Sequence, residues 1–331
     1  MTIEQVRVHG PGDVRLDRVE PPDPASGDIV VRVAACGVCG SDLKYISMGG
    51  LMGPGPEPMR LGHEFAGHVD FVGSDVTDIA VGDRVVVNPQ TSIGNGGPEG
   101  AFTTLLRVRS AEMGTNVFMI PDHMAFDEAA LTEPVGVGMH AAAQADVEAG
   151  DLVVVLGVGP IGLAAVAAAV DSGARDVVAV DISSQRLSMA SEIGAHATTG
   201  PDDCWETIRQ RHGTSNSVFG PMAATDAFVE CTGAAEVLQG IIANAGVGSR
   251  VSVAGLHFED VPTNFLSILS KELTIRGSME YPERFEDALE LVDRRDLTPM
   301  ISHHVALSDW GHVHELISGP TTFGKIMVTM D

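Results

Sequence analysis

Lysine is nearly missing from this 331-residue chain: Lys44, Lys271 and Lys325 are the only three. Lys and Arg together number 20 against 45 Asp and Glu, a net charge of −25, which argues against nucleic acid or an anionic membrane surface as a partner. The acid surplus reads as solvated surface, and the lysine shortage as compositional bias. Cysteine is scarce too. Cys36, Cys39, Cys204 and Cys231 are too few to staple a chain of this length, so a disulfide scaffold is excluded and a reducing cytoplasm is expected. The opening MTIEQVRVHGPGDV has no basic region followed by an apolar core, and the longest apolar run, Ile161 to Val170, is too short to cross a bilayer. A soluble cytoplasmic protein is expected. Aromatic residues make up only 5%.

Glycine, by contrast, is abundant at 38 residues beside 44% hydrophobic content, which suits an α/β protein with many tight turns. The length fits two domains. Short apolar runs at Ile29 to Ala34, Glu64 to Val72, Arg84 to Val87 and Phe102 to Val108, separated by Gly, Pro and Asp, predict a β-rich first unit. From Phe126 the pattern turns helical. It then alternates, with strands predicted at Leu152 to Leu156, Asp176 to Asp181, Asp226 to Glu230, Arg250 to Ala254 and Leu273 to Arg276, the signature of a parallel nucleotide-binding sheet. An amphipathic helix is predicted at Glu283 to Asp293. The last strands, ending in Lys325 to Met330, have no core of their own and are expected to return to the first domain. Boundaries are placed at 1–132 with 280–331, and 133–279.

The run Gly157 to Gly162, GVGPIG, follows one predicted strand and opens an alanine-rich helix, and Asp181 closes the next strand. A Gly-x-Gly-x-x-Gly alone is weak; with strand, helix and distal acid in place it is a dinucleotide fingerprint. Gly157 permits the turn, Gly159 admits a pyrophosphate, and Gly162 lets the helix lie close to the strand. The helix start near Pro160 and Ile161 offers N–H groups and a positive dipole end. Asp181 would accept hydrogen bonds from ribose hydroxyls and repel a 2′-phosphate, which favours NAD over NADP. Arg186 is expected to cover the adenine side.

Cys39, His63 and Glu64 lie in CGVCGSD and GHE of the β-rich part. Taken in order with LGHEFAGHV, VGDRV, GGPEGAFTTLL, LTEPVGVGMHA, GVGPIGLAA, VAVD and IRGS, these motifs closely resemble the zinc-dependent medium-chain alcohol and polyol dehydrogenases over nearly the whole chain. The subgroup of sorbitol, idonate, threonine and butanediol dehydrogenases is the most similar. The resemblance implies a GroES-like catalytic domain beside a Rossmann domain, a homodimer or homotetramer, and a catalytic zinc on Cys39 and His63, with Glu64 or Glu133 completing the protein's share. Thiolate, imidazole and carboxylate form a typical zinc set with one position left open. Cys36 completes a Cys-x-x-Cys pair but has no second pair to meet, and reads as a buried strand residue.

By the same resemblance Ser41 begins a proton relay, and Lys44 stands where relatives often have a relay histidine; read from the residues alone, Ser41 caps a helix beginning at Asp42 and Lys44 is an exposed charge. Tyr45, Glu280 and Tyr281 are implied substrate contacts, the acid at Glu280 favouring an amine or several hydroxyls. Thr232, Gly233, Ala254, Gly255 and Leu256 end strands where the cofactor should lie, with Ser278 and Met279 near its carboxamide. Many relatives hold a structural zinc in a cysteine-rich lobe, but Asn88 to Gly100 contains no cysteine, so one zinc per chain is expected. His303, His304, His312 and His314 read as exposed turn residues, and His140 as a packing residue on the face of Glu133. The expected function is hydride transfer between NAD(H) and a secondary alcohol, polyol or amino alcohol. The alternative is a zinc- and NAD-binding lyase-like or non-redox relative of the same fold.

Overall fold

The computed structural model describes residues 2–90, 93–218, 220–318 and 323–330. The chain divides into two compact units, one running to Glu133 and resuming at Ile301, the other Pro134–Met300. In chain order the first unit holds β1 (Ile3–Gly10), β2 (Asp13–Val19), β3 (Ile29–Gly37), α1 (Gly40–Met48), β4 (Met59–Arg60), β5 (Glu64–Val72), β6 (Arg84–Val87), β7 (Leu105–Val108), β8 (Val117–Met119) and α2 (Phe126–Ala129). β1 and β2 form an antiparallel hairpin extended by β4. The sequence reading missed this hairpin, because β2 (DVRLDRV) is half charged and nowhere fully buried.

Helix α3 (Thr132–Gln144) leads into the second unit. There the order is β9 (Leu152–Leu156), α4 (Pro160–Asp171), β10 (Asp176–Val180), α5 (Ser184–Ile193), β11 (Ala197–Thr199), α6 (Cys204–His212), β12 (Thr214–Ser217), β13 (Gly220–Ala223), β14 (Ala227–Glu230), α7 (Ala235–Asn244), β15 (Arg250–Val253), α8 (Phe265–Lys271), β16 (Thr274–Gly277) and α9 (Glu286–Arg294). Six strands pair in parallel in the order β11-β10-β9-β14-β15-β16. β9 and β10 are buried at every position, as strands covered on both faces must be. The order reverses between β9 and β14, which in an open parallel sheet makes the carboxyl ends of those strands the place for a ligand.

The chain then gives β17 (Ile301–Ala306), α10 (Trp310–Ser318) and β18 (Lys325–Thr329). These return to the first unit, where the strand order is β17-β18-β3-β5-β6-β8 and β7 also pairs with β3. The return comes at Ile301 rather than at 280, because α9 belongs to the second unit: it buries Ala288, Leu289, Leu291 and Val292, and Arg294 pairs with Asp171 at 2.9 Å. The first core is built on Val31, Val33, Phe65, Leu106, Val328 and their neighbours. The fold class is mixed α/β, with one β-rich unit and one unit built on a doubly wound parallel sheet.

Candidate active site

Strand register brings the chemistry of the first unit together. β3 pairs antiparallel with β5 so that Gly37 faces Glu64, and with β18 so that Gly37 faces Met327. Just past β3, Cys39 sits at the N-cap of α1, where its backbone N–H donates to Asp42 Oδ2 at 2.9 Å. The cap is therefore made by Asp42 and Cys39, not by Ser41: a carboxylate three residues into the helix reaches back to the cap N–H. Ligand atoms of Cys39, His63 and Glu64 all lie within 4.8 Å of one another, the one such group among the described residues. His63 is 3% exposed and Glu64 fully buried.

Burial opposes a charged His63, but the Cys39 sulfur, Asp42 and Glu133 outweigh it and hold the imidazole pKa well above its usual value. Asp42 Oδ1 lies 3.9 Å from His63 Nδ1 and accepts the Gly62 N–H at 3.3 Å. Burial is the main cause that raises the Asp42 pKa, with the Glu64 charge adding to it. Such a gathering of anions calls for a cation, and a metal there displaces the proton. The residues fit zinc: buried Glu64 Oε2 has no hydrogen-bond partner, and the donor set is thiolate, imidazole and carboxylate.

One cation of the chain already serves this cluster, and the sequence reading missed it. Lys325, 2% exposed, donates to Glu64 Oε1 at 2.6 Å and to the Val38 carbonyl at 3.1 Å. Burial lowers its pKa, yet Glu64, Cys39 and Glu133 leave it raised. The available signal was a lysine, in a chain with three, opening the apolar run KIMVT. Asp42 was likewise passed over as a helix residue. Glu133 is 4% exposed at the start of α3; its charge reaches His63 and Lys325, but it is not one of the three residues in the 4.8 Å group. Cys36 is fully buried, and burial, then Asp42 and Glu64, push its thiol well above the usual range, which leaves it inert.

Ser41 Oγ is buried and makes no hydrogen bond of good geometry. Lys44 is exposed on α1. The Tyr45 pKa is raised first by burial and then by the Asp42 and Cys39 charges. Its hydroxyl donates to Asn95 Oδ1 at 3.4 Å.

In the second unit Gly157 has φ +84°, and a Cβ at Gly162 would collide with the Gly157 carbonyl. Gly159 is the N-cap of α4, with Pro160 and Ile161 opening the helix and nothing within 4 Å of a Cβ placed at Gly159. That opening, at the end of β9 with bare helix N–H groups, is where a pyrophosphate fits. Asp181 takes the Val158 N–H on Oδ2 and the Ser183 N–H on Oδ1, both at 2.8 Å, and Arg186 Nη1 lies 3.8 Å from Oδ2. At the end of β14, Glu230 Oε1 accepts N–H bonds from Thr232 at 2.6 Å and Gly233 at 2.9 Å. Its Oε2 faces His257 Nε2 at 3.0 Å, a polar lock the sequence reading assigned to no role. Ala254, Gly255 and the exposed Leu256 follow β15. Buried Ser278 Oγ has no partner, Met279 and Glu280 are exposed, and the Tyr281 ring meets Phe285 edge-on at 5.5 Å.

The histidines expected in turns lie on regular elements. His303 and His304 are on β17, His304 facing Asp127 at 2.9 Å, and His312 and His314 are on α10. Parallel pairing with β18 builds this strand from residues with little apolar pattern. His140 meets Gln144 one turn along α3 at 3.2 Å.

Comparison with known proteins bears on this arrangement. The profile of the alcohol dehydrogenase GroES-like domain matches residues 25–199, and that of zinc-binding dehydrogenases residues 160–294. Sorbitol dehydrogenase of Bacillus subtilis is 31% identical over 309 residues, covering 86% of this chain and 84% of that protein. The crystal structure of 2R,3R-butanediol dehydrogenase from Bacillus subtilis superposes with a TM-score of 0.86 at 27% identity, covering 99% and 100% of the two chains. A putative zinc-binding dehydrogenase from Sinorhizobium meliloti bound to NADP gives 0.85 at 28% identity, covering 99% of each. Nothing among these relatives favours a lyase. No helix among the described residues is long and apolar enough to cross a membrane.

Proposed function

The chain belongs to the zinc-dependent alcohol and polyol dehydrogenases, and on that premise we propose that it transfers hydride between NAD(H) and a secondary alcohol, polyol or amino alcohol, with one catalytic zinc per chain. The observation that carries the reading is the convergence of Cys39, His63 and Glu64 ligand atoms within 4.8 Å. Zinc held there lowers the pKa of an alcohol beside it, and a nicotinamide ring accepts the hydride.

Cys39 and His63 hold the ion, and Asp42 fixes the imidazole from its other side. Glu64 gives one oxygen to Lys325 and keeps Oε2 as a third donor, while buried Glu133 supplies negative charge and remains the other carboxylate able to complete the set. The buried Ser41 hydroxyl would accept the alcohol proton while passing its own on through the cofactor ribose, and exposed Lys44 stands on the solvent side of α1. Tyr45, Glu280 and Tyr281 contact substrate. The first turn of α4, from Gly159 through Pro160 and Ile161 to Gly162, binds the pyrophosphate, and Asp181 the adenosine ribose, with Arg186 beside it. Thr232, Gly233, Ala254, Gly255, Leu256, Ser278 and Met279 line the nicotinamide half.

All four cysteines are free, which supports a reducing cytoplasm. A homo-oligomer is supported by β16, an edge strand exposed at all four residues, and by exposed Phe265, Leu266 and Leu269 on the preceding helix, since bare strand edges seek pairing. The test is metal analysis of the purified protein with NADH formation from diols, sugar alcohols and amino alcohols. About one zinc per chain and turnover of a secondary alcohol are expected; a zinc-loaded sample that reduces NAD with none of them refutes the reading.

A further inference from the structure

We propose that Asn95 selects polyols over simple alcohols, its side-chain amide donating to a substrate hydroxyl next to the one being oxidised; this rests on the dehydrogenase reading of the same site. Tyr45 and Asn95 are 50 residues apart, yet the Tyr45 hydroxyl donates to Asn95 Oδ1 at 3.4 Å. That bond occupies the amide oxygen and turns the residue's donor group to other use. Asn95 is half-buried, and among the described residues its side-chain hydrogen bond is the one its oxygen accepts from Tyr45. Tyr45 stands on α1, the helix that Cys39 caps and Asp42 opens, so the pair is tied to the element that carries part of the metal group.

The loop carrying Asn95 is fixed from both ends. Gly94 has φ +70°, and a Cβ there would lie 2.6 Å from the Gly62 carbonyl carbon and 2.9 Å from His63 Cβ, so the loop rests directly on the turn that supplies His63. Gly94 N–H donates to the Glu99 carbonyl and Ala101 N–H to that of Gly62, each at 2.8 Å. Arg109 clamps the Glu99 carboxylate at 2.8 and 3.2 Å. A polar group held this firmly reads hydroxyls better than a mobile one. The amide is neutral, which suits an alcohol oxygen rather than a carboxylate or phosphate. Gly96, Gly97 and Pro98, the next residues, line a cavity of 490 Å³ with Leu51, Met52 and Arg60.

The test compares kcat/KM for a sugar alcohol, a vicinal diol and a monohydric secondary alcohol in wild type, Asn95→Leu, Asn95→Ser and Tyr45→Phe. Asn95→Leu is expected to lower kcat/KM for both polyhydric substrates about tenfold or more while changing the monohydric alcohol less than about twofold. Asn95→Ser, which keeps a short donor, should recover part of the loss, and it reads the same ratio if the leucine variant is insoluble. Tyr45→Phe should shift the ratio in the same direction and add little to Asn95→Leu, because the two act as one unit. A wild-type enzyme active on all three substrates whose Asn95 variants change them equally overturns the proposal and leaves the dehydrogenase reading standing. A wild-type enzyme inactive on all three overturns that reading, and the proposal with it.

Discussion

Asp181 spends one carboxylate oxygen on the N–H of Val158 and the other on that of Ser183, so its direction is set before any ligand arrives, and each oxygen keeps a lone pair for a further donor. Asp181→Ala is expected to weaken NAD about 10–100-fold, the usual effect of losing hydrogen bonds to a charged group, and to bring NADP closer to NAD. Titration calorimetry with both cofactors checks this, and an unchanged NAD/NADP ratio removes Asp181 from the discrimination. At this scale the sequence was legible wherever residue types cluster along the chain, as in CGVCGSD, GHE and GVGPIG. It was silent on Asp42 and Lys325, whose parts are defined by distant partners: Lys325 meets Glu64 across 261 positions, and no local pattern marks such a meeting.

Deeply buried elements were the clearest, although the exposed β16 was read from its apolar run as well. β9 and β10 are apolar at nearly every position because both faces are covered, and their apolar runs were read to within a residue. β2, β12, β13 and β17 escaped because their pairing is supplied by neighbours rather than by apolar alternation. One junction between elements carries a pH dependence. His212 at the end of α6 takes part in a 2.8 Å hydrogen bond with Thr225, and its Nε2 lies 3.4 Å from Asp176 Oδ2 on β10, close but poorly aligned. Burial lowers the His212 pKa, and Arg211 and Arg175 lower it further against the pull of Asp176 and Asp226. The folded chain therefore holds this ring neutral while the unfolded chain protonates it, so its contribution is present above the unfolded histidine value of about 6.5 and is lost as pH falls through it. Urea midpoints measured from pH 7.5 to 5 should fall toward acid, and less steeply in His212→Gln. Parallel curves for the two proteins assign the acid lability elsewhere.

For the molecule as a whole, the charge of −25 is less balanced by lysine than the count implies, since Lys271 and Lys325 are buried and Lys44 is the lysine left at the surface. Like charges then crowd the exterior, and screening them should stabilise the fold: the Debye length drops from about 10 Å at 0.1 M salt to about 3 Å at 1 M. The thermal midpoint is expected to climb between 0.1 and 1 M KCl, with sedimentation over the same series showing stronger self-association. A flat or falling midpoint rejects electrostatic crowding as a limit on stability. The two-domain plan was legible from alternation of strands and helices, but the return point was not, because α9 is amphipathic and either core has apolar surface for it. The closing strand has a consequence in time. Lys325 follows Glu64 by 261 residues, so at ribosomal speeds the carboxylate waits on the order of tens of seconds for its ammonium partner. The nascent polypeptide thus carries a thiol, an imidazole and a carboxylate through that interval before β18 brings the ammonium that pairs with Glu64.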